Sequence, residues 1–226
     1  MFNFRAFSIV LPLLFVSVFI IYNANAQTYL PVGPQTNVPV ATVTGGGWTE
    51  CYRDLYSNHL DVNTVLADCP GELLMLSCRP TGSDTLALLA QGGRSDVTFN
   101  TGDNTDVLHV ANGVGWYFND TGALTEEGFS WGFVRAGDSV FKDPCDDDTS
   151  GANDERLCWH LNDQGGFRCG ETVFLNESDS FERIVYTAQL SRNIPTLSEW
   201  GMITAAAGFI LVGVFFVVRK RKSVVN

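Results

Sequence analysis

Between Lys142 and Glu155 the chain gathers Asp143, Asp146, Asp147, Asp148, Asp154 and Glu155, with Gly151 among them. Hard cations bind oxygen ligands, and carboxylates crowded into a glycine-containing loop are the residue type that supplies them. The spacing is not that of a helix–loop–helix calcium site. It lacks Asp-x-Asp-x-Asp-Gly, and no Glu stands at the twelfth position of a loop opening at Asp143, Asp146 or Asp148. Two readings stand: an irregular calcium site on Asp143, Asp146, Asp148 and Asp154, and a solvated acidic loop held at one end by Cys145.

A second group of side chains suggests recognition. Trp48, Tyr52, Trp116, Tyr117, Trp131 and Trp159 fall in glycine-rich phrases. Flat rings beside Asn, Asp and Arg can bind sugars by stacking and directed hydrogen bonds, which makes Trp116, Tyr117 and Trp131 glycan-binding candidates. Core packing is the competing reading, because a small β-domain buries most of its large aromatics. Trp116 and Tyr117 are neighbours on one predicted strand and so face opposite sides, which places one of the pair in the open.

Catalytic chemistry finds little to stand on. The only histidines are His59, His109 and His160, and the chain contains no Gly-x-Ser-x-Gly, no His-Glu-x-x-His and no phosphate-cradling glycine loop. Adjacent acids such as Glu126 and Glu127 carry little information in a chain this acidic. The alternative to a non-catalytic role is a glycosidase-like hydrolase of the cell envelope, whose two separated carboxylates would leave no local motif. His160, between Trp159 and a predicted strand end, reads as a packed residue.

The elements that would position these groups are strands. Apolar and polar residues alternate over Gly47–Tyr52, Leu74–Cys78, Asp96–Phe99, Val107–Ala111, Val114–Phe118, Phe129–Val134, Arg156–His160 and Phe181–Thr187. Turn-forming Gly, Asn and Asp separate them at Thr101–Asn104, Ala111–Gly113 and Asp163–Gly166. Only Asn63–Asp68 and Thr85–Gln91 look helical. The spacing predicts a mainly β, antiparallel sandwich-like single ectodomain over 45–189. Before it, 27–44 is rich in Pro, Thr and Val and reads as an extended arm without helix, its valines able to pair at a sheet edge. After it, 190–200 forms a stalk.

Cys51, Cys69, Cys78, Cys145, Cys158 and Cys169 all fall inside this domain. An even number in an exported chain predicts disulfides, in any of about fifteen connectivities, with at least one bridge joining the two halves. Zinc fits poorly. The cysteines are separated by 17, 8, 66, 12 and 10 residues, with no Cys-x-x-Cys.

Export is read from both ends. Residues 1–26 carry Arg5, an apolar run from Phe7 to Tyr22, and Ala24-Asn25-Ala26 before Gln27, the pattern of a cleaved signal peptide. Near the other end, residues 201–218 are uncharged, and as a helix would span about 27 Å, close to the bilayer hydrocarbon. Arg219, Lys220, Arg221 and Lys222 follow, so 219–226 is expected on the cytoplasmic side and the domain outside. Of the chain's 14 bases and 25 acids, the two ends hold five bases and one acid. Residues 27–193 therefore carry nine bases against 24 acids, a net of −15. Such a surface repels nucleic acid and anionic headgroups and favours cations, neutral glycans or basic proteins.

Immediately before the apolar run stands Ile194-Pro195-Thr196-Leu197-Ser198-Glu199-Trp200-Gly201. Pro195 disfavours helix at the residues before it and keeps the segment extended, and Trp200 suits a membrane interface. This motif, the apolar helix and the basic end together resemble the IPTL-CTERM sorting signal of exported bacterial proteins, with Ile194, Pro195, Thr196, Leu197, Trp200 and Gly201 all in place. The resemblance implies a substrate role. A membrane-embedded, exosortase-like enzyme would remove the helix and pass the protein to the cell surface. The phrases Gly47–Tyr52, Leu74–Ser83, Asn112–Tyr117, Ser130–Phe133 and Arg156–His160 also resemble a secreted bacterial Cys/Trp-containing module to which no activity attaches. The expectation is a bacterial cell-surface protein, single-pass in the membrane before processing. Its ectodomain would be an adhesion or matrix module binding a glycan or another surface protein.

Overall fold

A computed structural model describes residues 27–102, 106–119, 130–141, 145–161, 165–190, 201, 204–206 and 209–210. The predicted signal peptide, Asp143, Glu126 and Glu127, the predicted sorting residues Ile194, Pro195, Thr196, Leu197 and Trp200, and the basic end lie outside the described residues. The predicted span 201–218 lies mostly outside them, and no helix among the described residues is long and apolar enough to cross a membrane. Gly201 is helical and exposed.

The elements run β1 (Gln35–Pro39), α1 (Val40–Gly45), β2 (Thr49–Leu55), α2 (Val62–Asp68), β3 (Leu73–Pro80), β4 (Thr85–Gly93) and α3 (Arg94–Val97). They continue with β5 (His109–Ala111), β6 (Val114–Phe118), β7 (Ser130–Arg135), a 3₁₀ turn (Asn153–Glu155), β8 (Leu157–His160), β9 (Gly166–Cys169) and β10 (Phe181–Ala188). They form two five-stranded sheets, ordered β1-β4-β3-β10-β2 and β5-β6-β7-β8-β9. Every strand pairing is antiparallel.

The second sheet is a meander, and its first hairpin shows how the sequence sets it. Asn112 and Gly113 both take positive φ, +52° and +73°, between Ala111 and Val114. A two-residue connection needs that conformation to match the twist of its strands, and Asn-Gly tolerates it best.

The inward faces of the two sheets share one core. Leu74, Leu76, Cys78, Leu88, Ala90 and Val185 of the first meet Trp116, Phe118, Trp131, Phe133, Leu157 and Trp159 of the second. The rings meet edge to face: Trp131 stands 5.7 Å from Trp159 at 89°, and Phe118 5.5 Å from Trp131 at 74°. Each such contact adds about 0.5–1.5 kcal/mol beyond simple burial. The outer faces are covered too. Val43 of α1 and Trp48 pack on Met75, Ile184 and Tyr186 of the first sheet, and Val140 and Cys145 pack with Tyr117, Val134 and Cys158 of the second.

Three disulfides close the domain: Cys51–Cys69, Cys78–Cys169 and Cys145–Cys158. The first ties β2 to the end of α2, and the last ties the acidic loop to β8. Cys78–Cys169 links β3 to β9, one sheet to the other across 91 positions, which is the bridge between halves that the sequence predicts.

Three expectations are corrected. The arm 27–44 pairs at a sheet edge as its valines allow, β1 running along β4 with Val38 opposite Leu86, but it is not free of helix. The six residues of α1 follow directly, burying Val43. Pro39 fits because β1 is an edge strand and Pro needs no ladder partner there. Thr85–Gln91 belongs to β4, held between β1 and β3, and its Leu and Ala residues are strand residues by position despite their helical propensity. Asp96–Phe99 is no strand. Arg94–Val97 is a helical turn, whose Arg94 N–H donates to Glu72 O at 2.8 Å and whose guanidinium donates to Leu66 O at 2.6 Å.

Candidate functional site

The acidic loop is organised by the protein's own cations. Arg156, immediately before β8, is fully buried. It donates to Asp146 Oδ2 at 2.9 Å, Ser139 O at 2.9 Å and Ser150 O at 2.7 Å. Arg168 of β9, 1% exposed, donates to Gly170 O at 2.8 Å, Asp148 O at 2.6 Å and Asn153 Oδ1 at 3.1 Å, with Asp146 Oδ2 3.7 Å away. Burial pushes the Asp146 carboxyl up from its ordinary value; the two guanidiniums and the Phe141 N–H pull it back. Asp148 is brought down to about 2, chiefly by the Ser150 N–H it accepts, with the Ser139 hydroxyl assisting.

Of the four predicted calcium ligands, the structure therefore brings Asp146 and Asp148 together and gives both other work. Asp154 is exposed in the 3₁₀ turn, and Asp143 lies outside the described residues. No group of three or more His, Cys, Asp or Glu able to hold a metal gathers among the described residues. The sequence shows the carboxylates as a run. Their arginine partners stand ten and twenty-two positions beyond Asp146, just before β8 and in β9, and only the fold brings them back.

The predicted glycan face is corrected. Trp116, Tyr117 and Trp131 are all fully buried. Trp116 and Tyr117 do face opposite ways, but both faces of their sheet are covered. Trp116 enters the core between the sheets. Tyr117 turns outward over Gly132, where a Cβ would stand 2.6 Å from its hydroxyl oxygen, and donates to Leu157 O at 2.7 Å beneath the acidic loop. Trp131 is spoken for by Val97 O, to which its indole N–H donates at 2.9 Å.

His160 is packed, as its neighbours suggested. It is 1% exposed, its ring 5.4 Å from Phe167, and neither ring nitrogen has a hydrogen-bond partner among the described residues. Burial holds its pKa down to about 4.

One polar and aromatic cluster stays open to solvent, and the motifs do not single it out. His109 Nε2 lies 2.8 Å from Asp96 Oδ1, and the Phe99 ring is stacked on the imidazole at 4.4 Å and 16°. Phe99 is 48% exposed, while the side chains of Asp96 and His109 are 37% and 28% exposed. Neighbouring elements hold the platform. Trp131 and Arg94 fasten α3 from two sides, and His109 sits in β5 opposite Trp116. Gly93 leaves the carboxylate its place, since a Cβ there would stand 2.9 Å from Asp96 Oδ2. Thirteen positions separate Asp96 from His109, so no local spacing announces the pair. The available signal is an aromatic in a run otherwise free of large apolar residues, Thr98-Phe99-Asn100-Thr101.

No family model matches this chain, and no curated protein or solved structure matches it.

Proposed function

We propose that the chain is an exported bacterial cell-surface protein, processed through its IPTL-CTERM-like tail, whose ectodomain is a non-catalytic adhesion or matrix module. The observation that carries this reading is the pairing of all six cysteines into three disulfides. Such bridges persist in an oxidising compartment and are rare in a reducing one. The acidity of residues 27–193 supports a role in binding cations, neutral glycans or basic proteins. The tail supplies the route: an extended Pro195 segment for a processing enzyme, then an apolar stretch and four cations.

Surface fractionation with thiol labelling tests the proposal. The full chain, expressed in a bacterium that carries an exosortase-like enzyme, should reach the surface with no thiol that labels before reduction. Replacing Ile194, Pro195, Thr196 and Leu197 by alanine should leave it in the membrane. Recovery from the cytosol with labelled thiols would contradict the proposal. So would turnover of envelope polysaccharide by the purified protein, the behaviour expected of a hydrolase.

A further inference from the structure

We propose that Asn112 is a site of spontaneous deamidation, that the N-terminal segment 31–33 sets its rate, and that the product can no longer hold that segment. The β1–β4 ladder stops at Gln35 opposite Leu89, and further along β4, at Gln91, the sheet edge is met by Asn112 instead. Asn112 Nδ2 donates to Gln91 O at 3.0 Å and to Pro31 O at 2.9 Å, and Gln91 Nε2 donates to the same Pro31 oxygen at 2.9 Å. The Gly33 N–H closes the node by donating to Asn112 O at 2.8 Å. One exposed residue in the β5–β6 hairpin therefore fastens the segment before β1 to both sheets.

Asn112 is followed by Gly113. With no side chain, glycine leaves its own backbone nitrogen the least obstructed, so the Gly113 nitrogen can attack the Asn112 carboxamide carbon. A C–N bond forms, the amide nitrogen leaves as ammonia, and a cyclic imide results. Water then opens the imide at either carbonyl to give aspartate or isoaspartate, so that water enters, ammonia leaves and nothing is oxidised. In the closed molecule this step is held back. Ring closure pulls Nδ2 off both acceptors, and the segment lies over the turn, with Val32 Cγ1 and Gly33 N each 3.1 Å from where a Cβ on Gly113 would stand. Once formed, the carboxylate only accepts, and it faces two carbonyl oxygens that also only accept. Both bonds are lost, and isoaspartate also adds a backbone atom to a turn whose length fixes the hairpin register.

The test is peptide mass spectrometry of the oxidised full chain held in mildly alkaline buffer, with amide hydrogen exchange at Gly33 reporting on the segment. Asn112 should convert to aspartate and isoaspartate, more slowly than in the reduced, unfolded chain. Gln91→Met removes the other donor to Pro31 O and should speed conversion about 2–10-fold, the worth of one neutral hydrogen bond. Asn112→Asp should exchange at Gly33 about tenfold faster than the parent, since two donated bonds are gone. The fraction that converts within the folded parent should show the same faster exchange, which keeps the test independent of how the variant folds. The inference is overturned if Asn112 stays an amide while the unfolded chain reacts, if folded and unfolded chains convert alike, or if Gln91→Met leaves the rate unchanged. Parent-like exchange at Gly33 in the converted protein would overturn it equally.

Discussion

The ring of Tyr56 lies flat against the backbone of Gly166, so close that a Cβ on Gly166 would stand 2.1 Å from Tyr56 Cδ1. Tyr56 follows β2 of one sheet and Gly166 opens β9 of the other. The Gly166 N–H donates to Tyr56 O at 2.8 Å, the phenol donates to Arg168 O at 3.0 Å, and Trp159 Nε1 donates to the phenol oxygen at 2.9 Å. One side chain thus joins the sheets at the end where Cys78–Cys169 also crosses. Tyr56→Phe would leave the buried Trp159 indole N–H unpaired, at a cost of about 1–3 kcal/mol. Gly166→Ala should cost at least as much, because the ring and backbone must both move. Urea unfolding followed by tryptophan fluorescence measures both.

The three bridges should differ in worth. Cys78–Cys169 closes a loop of 91 positions, against 18 for Cys51–Cys69 and 13 for Cys145–Cys158. Loop-closure entropy assigns the long one about 4–5 kcal/mol and the short ones about 3 each. Paired replacements by alanine should therefore lower the melting temperature most for Cys78 and Cys169. Equal losses would show that strain or residual structure in the unfolded chain dominates instead.

His160 gives the domain an acid limit. Its pKa is about 4 when folded and about 6.5 when unfolded, so the unfolded chain binds the extra proton. The stability contributed by keeping it neutral is fully present above pH 6.5 and is lost as pH falls toward 4, on the order of 3 kcal/mol in all. His160→Leu should lack this part of the slope in a plot of urea midpoint against pH. An unchanged slope would place the titration elsewhere.

The arginines of the acidic loop carry a further expectation. Arg156→Met would leave Asp146 buried with its closest cation gone and should destabilise by about 3–5 kcal/mol. Because Asp146 is already neutralised by guanidinium, millimolar calcium should leave the melting temperature of the parent unchanged. A calcium-dependent rise would return the loop to cation binding.

How much of this could be read from residues alone follows from the range of each interaction. Strand positions in Val114–Phe118 and Phe181–Thr187 are set by local alternation and turn chemistry, and they stand where expected. The Leu and Ala residues of β4 favour a helix locally but are placed by pairing with β1 and β3. Exposure of Trp116 or Tyr117 would follow from alternation only if one face of their sheet were bare, and the loop fastened by Cys145–Cys158 covers it. The run of carboxylates around Asp146 shows in the sequence without the arginines that pair with it, which follow ten and twenty-two positions later. Phe99, His109 and Asp96 were likewise invisible as a group, since stacking across a helical turn and an edge strand leaves no periodic trace.

Intact mass of the protein recovered from the cell surface bears most directly on the central claim. The predicted result is a chain that starts at Gln27, ends upstream of the apolar run, and is lighter than its reduced form by the hydrogens of three disulfides. A full-length chain from Met1 with six free thiols would contradict it.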